Sequence, residues 1–315
     1  SSPKLYNKVQ LTDFINLYQF DKEIRSILSN CLDSVEEKLK ASIAYHFCKH
    51  HCVSLTDTMQ YTNKVHFMDP ANNVPGTPTY CRYSNAYPFV GYQNQKIYHE
   101  FDKFCLFKPF FLSNLVDKND HIDISFYFDS AYVAPSGVAV YRDSTGTYNK
   151  NVAVPFWVAI ETLTFGEILR LLHYLQDDVL KDVLNDFNLP LSKRAPFLNM
   201  IDILLCLRNN CAHTTLLNRF RTEKRYRINT LLITSFSLTP KNADSVLKLY
   251  DSIKILSFFT DVTALRKPLK ILKFKMYTNM GIKKGKTTYN KLLARMGCGD
   301  YKKWNTALFK TKYFL

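Results

Sequence analysis

Leu207-Arg208-Asn209-Asn210-Cys211-Ala212-His213 closes a segment that begins near Ser192, just before Pro196, and reads as helix. Asn209 and His213 stand four residues apart, so a helix places them on one face. Arg208 lies about 100° around the axis from Asn209, and its long guanidinium arm can reach the same patch. A guanidinium can hold a phosphate and neutralise charge developing on it. An imidazole, with an unperturbed pKa near neutrality, can take up or release a proton. Metal-free RNA cleavage requires this pair of groups.

The rest of the chain sets the context. At 315 residues, 46% hydrophobic and 14% aromatic, it can bury a substantial core. Only nine glycines favour helices over a loop-rich β architecture. The net charge is +15 and unevenly spread: from Asp261 to Leu315, fourteen Lys/Arg stand against two Asp. Such a surface suits a polyanion, either nucleic acid or anionic lipid. Apolar runs such as Val152–Ile160 fall well short of the ~18 residues that span a bilayer. Ser1-Ser2-Pro3-Lys4 has no hydrophobic core of a secretory signal, so no membrane partner is expected. The eight cysteines are scattered, which fits reduced thiols in a cytoplasm.

Phe20, Ile24, Leu28, Leu32, Val35, Leu39 and Ile43 predict a helix from an N-cap at Asp21 to about Phe47. A second helical block covers 156–188, broken near Gly166 and Asp177. Thr239-Pro240 reads as the start of a helix with a buried stripe from Ala243 to Leu256. Residues 68–90 read as irregular loop and 97–116 as helical. Ile122–Phe128 and Gly137–Tyr148 alternate like strands, with Asp143-Ser144-Thr145-Gly146 as a turn. The expected fold is therefore mainly α. Residues 1–50 and 151–265 make a helical core, 51–150 a mixed, partly β insertion, and 266–315 a basic helical segment packed on that core.

Arg208-Asn209-Asn210-Cys211-Ala212-His213, followed by Leu216, Asn218 and Arg219, resembles the signature of the Abi-like (abortive infection) family, within the HEPN superfamily of helical RNA-processing domains. Three further landmarks are similar in order and spacing. These are Leu17–Arg25 with Val35–Lys40, then Val154–Gly166, then Met296-Gly297 with Trp304. The resemblance spans about 11–304 and poorly covers 50–150. Where the family often carries a further basic residue after its histidine, this chain has Thr214-Thr215. The family's usual helical N-terminal segment is not found before Ser1.

The resemblance implies a HEPN-type helical bundle with the Arg-Asn…His motif at the start of its last core helix or in the preceding turn. It implies a metal-independent endoribonuclease of antiphage defence in bacteria, with two motifs paired in a homodimer or higher assembly. His213 would serve as general base or acid, Arg208 would stabilise the phosphorane, and Asn209 would orient the histidine or the phosphate. Attack by a ribose 2′-hydroxyl makes RNA the substrate. Restraint would come from a cognate small RNA, an antitoxin protein or blocked dimerisation. The alternative is a non-catalytic RNA-binding protein.

Other residues are assigned around this motif. Asn218, Arg219, Arg221, Lys224, Arg225 and Arg227, with Tyr226 interleaved, read as an RNA track beside the histidine. Lys273, Lys275, Lys283, Lys284 and Lys286, with Phe274 and Tyr277, extend it. Glu161 sits in an apolar stretch and needs a cation, for which Arg208 or Arg25 would serve. His46, Cys48, His50, His51 and Cys52 cluster, but no matching Cys-x-x-Cys stands elsewhere, so no metal is assigned. Gly285-Lys286-Thr287 lacks P-loop spacing, and no cofactor is expected.

Overall fold

Apolar residues at three- and four-residue spacing run through most of the chain, and a computed structural model folds them mainly as helices. It describes residues 10–69, 101–118, 122–213, 215–222, 228–243 and 245–309. The helices are α1 (Leu11–His51), α2 (Phe111–Lys118), α3 (Phe156–Ala159), α4 (Phe165–Tyr174), α5 (Asp177–Asn185) and α6 (Arg194–Ala212). They continue as α7 (Thr230–Ser235), α8 (Leu249–Phe259), α9 (Arg266–Met280), α10 (Ile282–Arg295) and α11 (Tyr301–Phe309). One small antiparallel pair, β1 (Tyr141–Arg142) and β2 (Tyr148–Asn149), pairs Tyr141 with Asn149 and Arg142 with Tyr148.

Helix α1 begins ten residues before the expected N-cap, so Asp21 sits inside it. The block after Pro155 breaks where expected. Thr164 and Glu167 form a capping box at the start of α4, and Gln176 precedes α5. Ile124–Tyr127 is a 3-10 helix rather than a strand. Asp123 accepts hydrogen bonds from the Ser125 N–H and hydroxyl there, which favours a turn over an extended ladder. The hairpin turn is present: Asp143 Oδ1 accepts from the Thr145 and Thr147 N–H groups, and Gly146 takes the left-handed φ of 91°. The described residues of 239–248 are not helical. The Thr239 N–H and hydroxyl both donate to the buried Asp251 carboxylate, which holds that stretch as a loop leading into α8.

The chain divides into two units, one of residues 1–35 and 203–315, the other of residues 36–202. In the second, Tyr61 stacks on Phe156 and Phe47 on Phe67, while Phe101 and Phe104 pack edge-on to Tyr174. The described part of 51–150 thus contributes aromatic side chains to the core of this unit. His46 and His50 turn to the carboxylates of α5, with His46 Nε2–Asp186 and His50 Nε2–Asp182 both at 3.0 Å.

In the first unit, α9 and α10 form a close hairpin. A Cβ on Gly285 would overlap the Met276 carbonyl, so glycine permits this approach. The Tyr289 hydroxyl, buried beneath, donates to the Leu269 carbonyl at 2.9 Å. The Gly-Lys-Thr sequence is therefore part of a helix contact. Gly297, at φ 128°, lies against Tyr250, and Tyr250 N–H donates to the Met296 carbonyl at 2.8 Å. The buried Trp304 packs on Tyr250 and donates to the Cys298 carbonyl at 2.7 Å. Gly285→Ala forces the two helices apart and is expected to cost about 1–3 kcal/mol, read as a lowered midpoint of chemical denaturation.

Candidate RNA-processing site

Within the first unit the motif occupies the last turn of α6, not a helix start. One face of that turn is apolar: Leu204, Leu207 and Cys211 are buried, which fixes how the helix is rotated. Asn209 and His213 are exposed, and Arg208 is half-buried. The His213 N–H donates to the Asn209 carbonyl at 3.0 Å, so the two are successive residues on one helical face. Among the described residues, no side-chain hydrogen bond or ion pair is made by Arg208, Asn209 or His213. Their functional groups are left over after the fold has been satisfied.

The residues between and behind them do the structural work. Asn210 Nδ2 donates to the Cys206 carbonyl at 2.9 Å, and the Thr215 hydroxyl donates to the Asn210 carbonyl at 2.9 Å, tying off the helix end. Asp21, on α1 and only 2% exposed, then holds the segment that follows. Its carboxylate accepts from the Leu217 N–H at 3.1 Å, and from the Asn218 N–H and Asn218 side-chain amide at 3.0 Å each. Arg25, one turn along α1, pairs with Asp21 at 3.2 Å and donates to the Thr215 carbonyl at 2.7 Å. A buried carboxylate is tolerable because its lone pairs are met by charge-assisted hydrogen bonds. Two of the sequence landmarks, Leu17–Arg25 and Leu216–Arg219, are therefore the two sides of one clamp.

This geometry corrects several assignments. Asn218 is buried and its side-chain amide is spent on Asp21, so it positions the backbone. Arg25 does not pair with Glu161; it completes the clamp. Glu161, in the other unit, is 58% exposed, and the cation it pairs with is Lys40, at 3.5 Å. Asp21, read from sequence as a helix cap, is the residue that sequence reasoning missed. Its i, i+4 spacing to Arg25 and its burial-prone neighbours Phe20 and Ile24 were the available signal.

The basic residues fall into distinct groups. Arg219 is exposed at the end of the 3-10 turn Leu217–Arg219, which packs against α8 and α10. Arg221 is half-buried, and its guanidinium donates to the Phe220 carbonyl at 2.6 Å. Burial, then repulsion from Arg295, lowers its pKa. Lys224, Arg225, Tyr226 and Arg227 lie outside the described residues. Lys283, Lys284 and Lys286 are exposed on α10. Lys273 covers the rings of Tyr277 and Tyr301, and Lys275 donates to Gln19 at 3.2 Å, so these two serve packing at least in part.

Of the clustered histidines and cysteines in the second unit, His46 and His50 face Asp186 and Asp182, while the rings of His51 and His66 lie 4.4 Å apart. Among the described residues no three His, Cys, Asp or Glu side chains converge as metal ligands would. No helix among the described residues is long and apolar enough to cross a membrane.

A helical protein whose motif side chains are held out on a clamped helix end is the class defined so far. The chain belongs to the Abi-like protein family, whose family model matches residues 2–218. That match includes the clamp and the motif, and it points to abortive-infection defence. The Met296–Trp304 landmark lies beyond it and is accounted for by packing on Tyr250. No curated protein and no solved structure matches the chain.

Asp21→Ala leaves the Leu217 and Asn218 donors and Arg25 without their acceptor, and should destabilise the protein by about 3 kcal/mol. His213→Ala, at an exposed position with no side-chain partner among the described residues, should stay within about 0.5 kcal/mol of the parent. Urea denaturation of the two variants side by side checks both.

Proposed function

We propose that this protein is a HEPN-type endoribonuclease that cleaves RNA without metal through Arg208, Asn209 and His213. The observation that carries the reading is the division of labour in one helical turn. Asn210, Cys211 and Thr215 hold the fold, while the arginine, the asparagine and the histidine have no structural employment. A polar residue that neither stabilises the fold nor pairs with a neighbour is free to meet a ligand. In this mechanism a ribose 2′-hydroxyl attacks the adjacent phosphate. His213 accepts its proton or supplies one to the leaving 5′-oxygen, and Arg208 takes up the charge on the phosphorane. A single motif carries one histidine, so a second copy of the chain would supply the other proton-transfer group. Arg219 and the exposed lysines of α10, which packs on the turn carrying Arg219, extend the positive surface from the motif. RNA is thus the partner, and a cognate small RNA bound on that surface would restrain the enzyme until infection.

The non-catalytic reading rests on Thr215. Its hydroxyl is spent on Asn210, so the interval after His213 brings no additional cation at that position.

In excess EDTA, the parent protein, stripped of any bound nucleic acid, should cleave a mixed RNA pool to products with cyclic-phosphate ends. Arg208→Ala and His213→Ala should each lower the rate by about 10²–10⁴-fold. Binding without cleavage by the stripped parent would favour the non-catalytic reading. Replacing Lys283, Lys284 and Lys286 with Ala should weaken RNA binding. The slope of log affinity on log salt should shrink by roughly 0.7 for each phosphate that is no longer neutralised.

A further inference from the structure

Cys48 and Cys52 stand one turn apart where α1 ends, in the second unit, whereas the Arg-Asn…His motif belongs to the first. The Cys52 N–H still donates to the Cys48 carbonyl at 2.8 Å, so the helical spacing persists to Cys52, although the last helical residue is His51. Both thiols are partly accessible and line a cavity of about 650 Å³ shared with Tyr45, Ile160 and Trp157. Trp157 is 66% exposed at that cavity, whereas the other tryptophan, Trp304, is buried.

We propose that Cys48 and Cys52 form a dithiol redox site that a hydroperoxide converts to a disulfide. Residues four apart in a helix have Cα atoms about 6 Å apart, inside the range a disulfide spans. Their Cβ atoms, about 5–6 Å apart in a regular helix, must come closer by an ångström or more. Cys52 can make that movement because it lies just past the last residue of α1, and the next turn, the 3-10 helix Leu55–Asp57, begins only three residues later.

The chemistry is asymmetric. The Cys52 thiol donates to the Thr58 carbonyl at 3.9 Å, which keeps its proton engaged, whereas no such acceptor among the described residues holds the Cys48 proton. The neighbouring Cys52 lowers the Cys48 pKa, against burial. Cys52 is pushed up by Cys48 and by burial. Cys48 is therefore the attacking thiolate. Its sulfur takes the terminal oxygen of the hydroperoxide: the O–O bond breaks, the alcohol or water leaves with a proton, and a Cys48 sulfenic acid forms. The Cys52 sulfur then attacks that sulfur and expels water. Two thiols are oxidised by two electrons and one peroxide bond is reduced. Closure breaks the Cys52 N–H bond to Cys48 and alters the cavity wall beside Trp157.

The test treats the reduced full-length protein with hydrogen peroxide and maps tryptic peptides. Trypsin cuts after Lys49, between the two cysteines, so the disulfide appears as a crosslinked peptide pair. We expect that pair to form several-fold faster than Cys105 or Cys298 is oxidised, together with a change in Trp157 fluorescence reversed by dithiothreitol. In Cys52→Ser, dimedone should label Cys48; in Cys48→Ser, Cys52 should stay unlabelled and the fluorescence change should vanish. Circular dichroism of both variants establishes that they are folded, and Cys→Ala replacements substitute for either that is not. Oxidation of all accessible cysteines at one rate, dimedone labelling of Cys52 in preference to Cys48, or a Cys48 carried to sulfinic acid with no crosslink would each overturn the proposal.

Discussion

The arrangement of the candidate site depends on the Asp21 carboxylate. It lies inside a long helix, out of contact with water, and ionised groups are costly there unless their lone pairs are met. The donors that meet them come from Arg25 and from the backbone and side chain at Leu217 and Asn218. Because those donors belong to the chain just beyond His213, satisfying one buried charge also fixes where that chain leaves α6. Thr222 and Leu247 exchange hydrogen bonds, and Tyr250 bonds to Met296, so the same path continues through α8 to Trp304, which packs on Tyr250.

This economy explains how exposed polar groups can be gathered on a helix end. α6 anchors itself by Leu204, Leu207 and Cys211, and burial pushes the Cys211 thiol up to about 12, which keeps it in its neutral form as a packing residue. The opposite face of the same turn is then available for polar groups at no cost to the core. Arg208, Asn209 and His213 occupy it. Abortive-infection defence, to which the family points, demands an activity that is present but withheld. A motif free of structural duty can be covered or completed by a ligand without unfolding anything.

The two units solve the burial problem with different side chains. Residues 36–202 rely on stacked and edge-on aromatic rings, which lets short 3-10 turns share a core with helices. Residues 1–35 and 203–315 set the Tyr250–Trp304 ring pair among aliphatic helix faces, with Gly285 allowing α9 and α10 to touch backbone to backbone.

Periodicity alone determined the helical class, the breaks around α4 and α5, and the face shared by Asn209 and His213, because each depends on neighbours within a few residues. The Asp143–Gly146 turn was legible for the same reason. Its side-chain hydrogen bonds close within the turn itself. What sequence could not decide were partners far apart in the chain. Asp21 has the signature of a helix cap, yet its donors lie almost two hundred positions away. Glu161 needs a cation, but only folding brings Lys40 to it. Thr239-Pro240 has the signature of a helix start until Asp251 claims the Thr239 donors. At Asp21 and Thr239 a local preference worth about 1 kcal/mol yields to burial of a carboxylate, whose partners only the tertiary structure can supply.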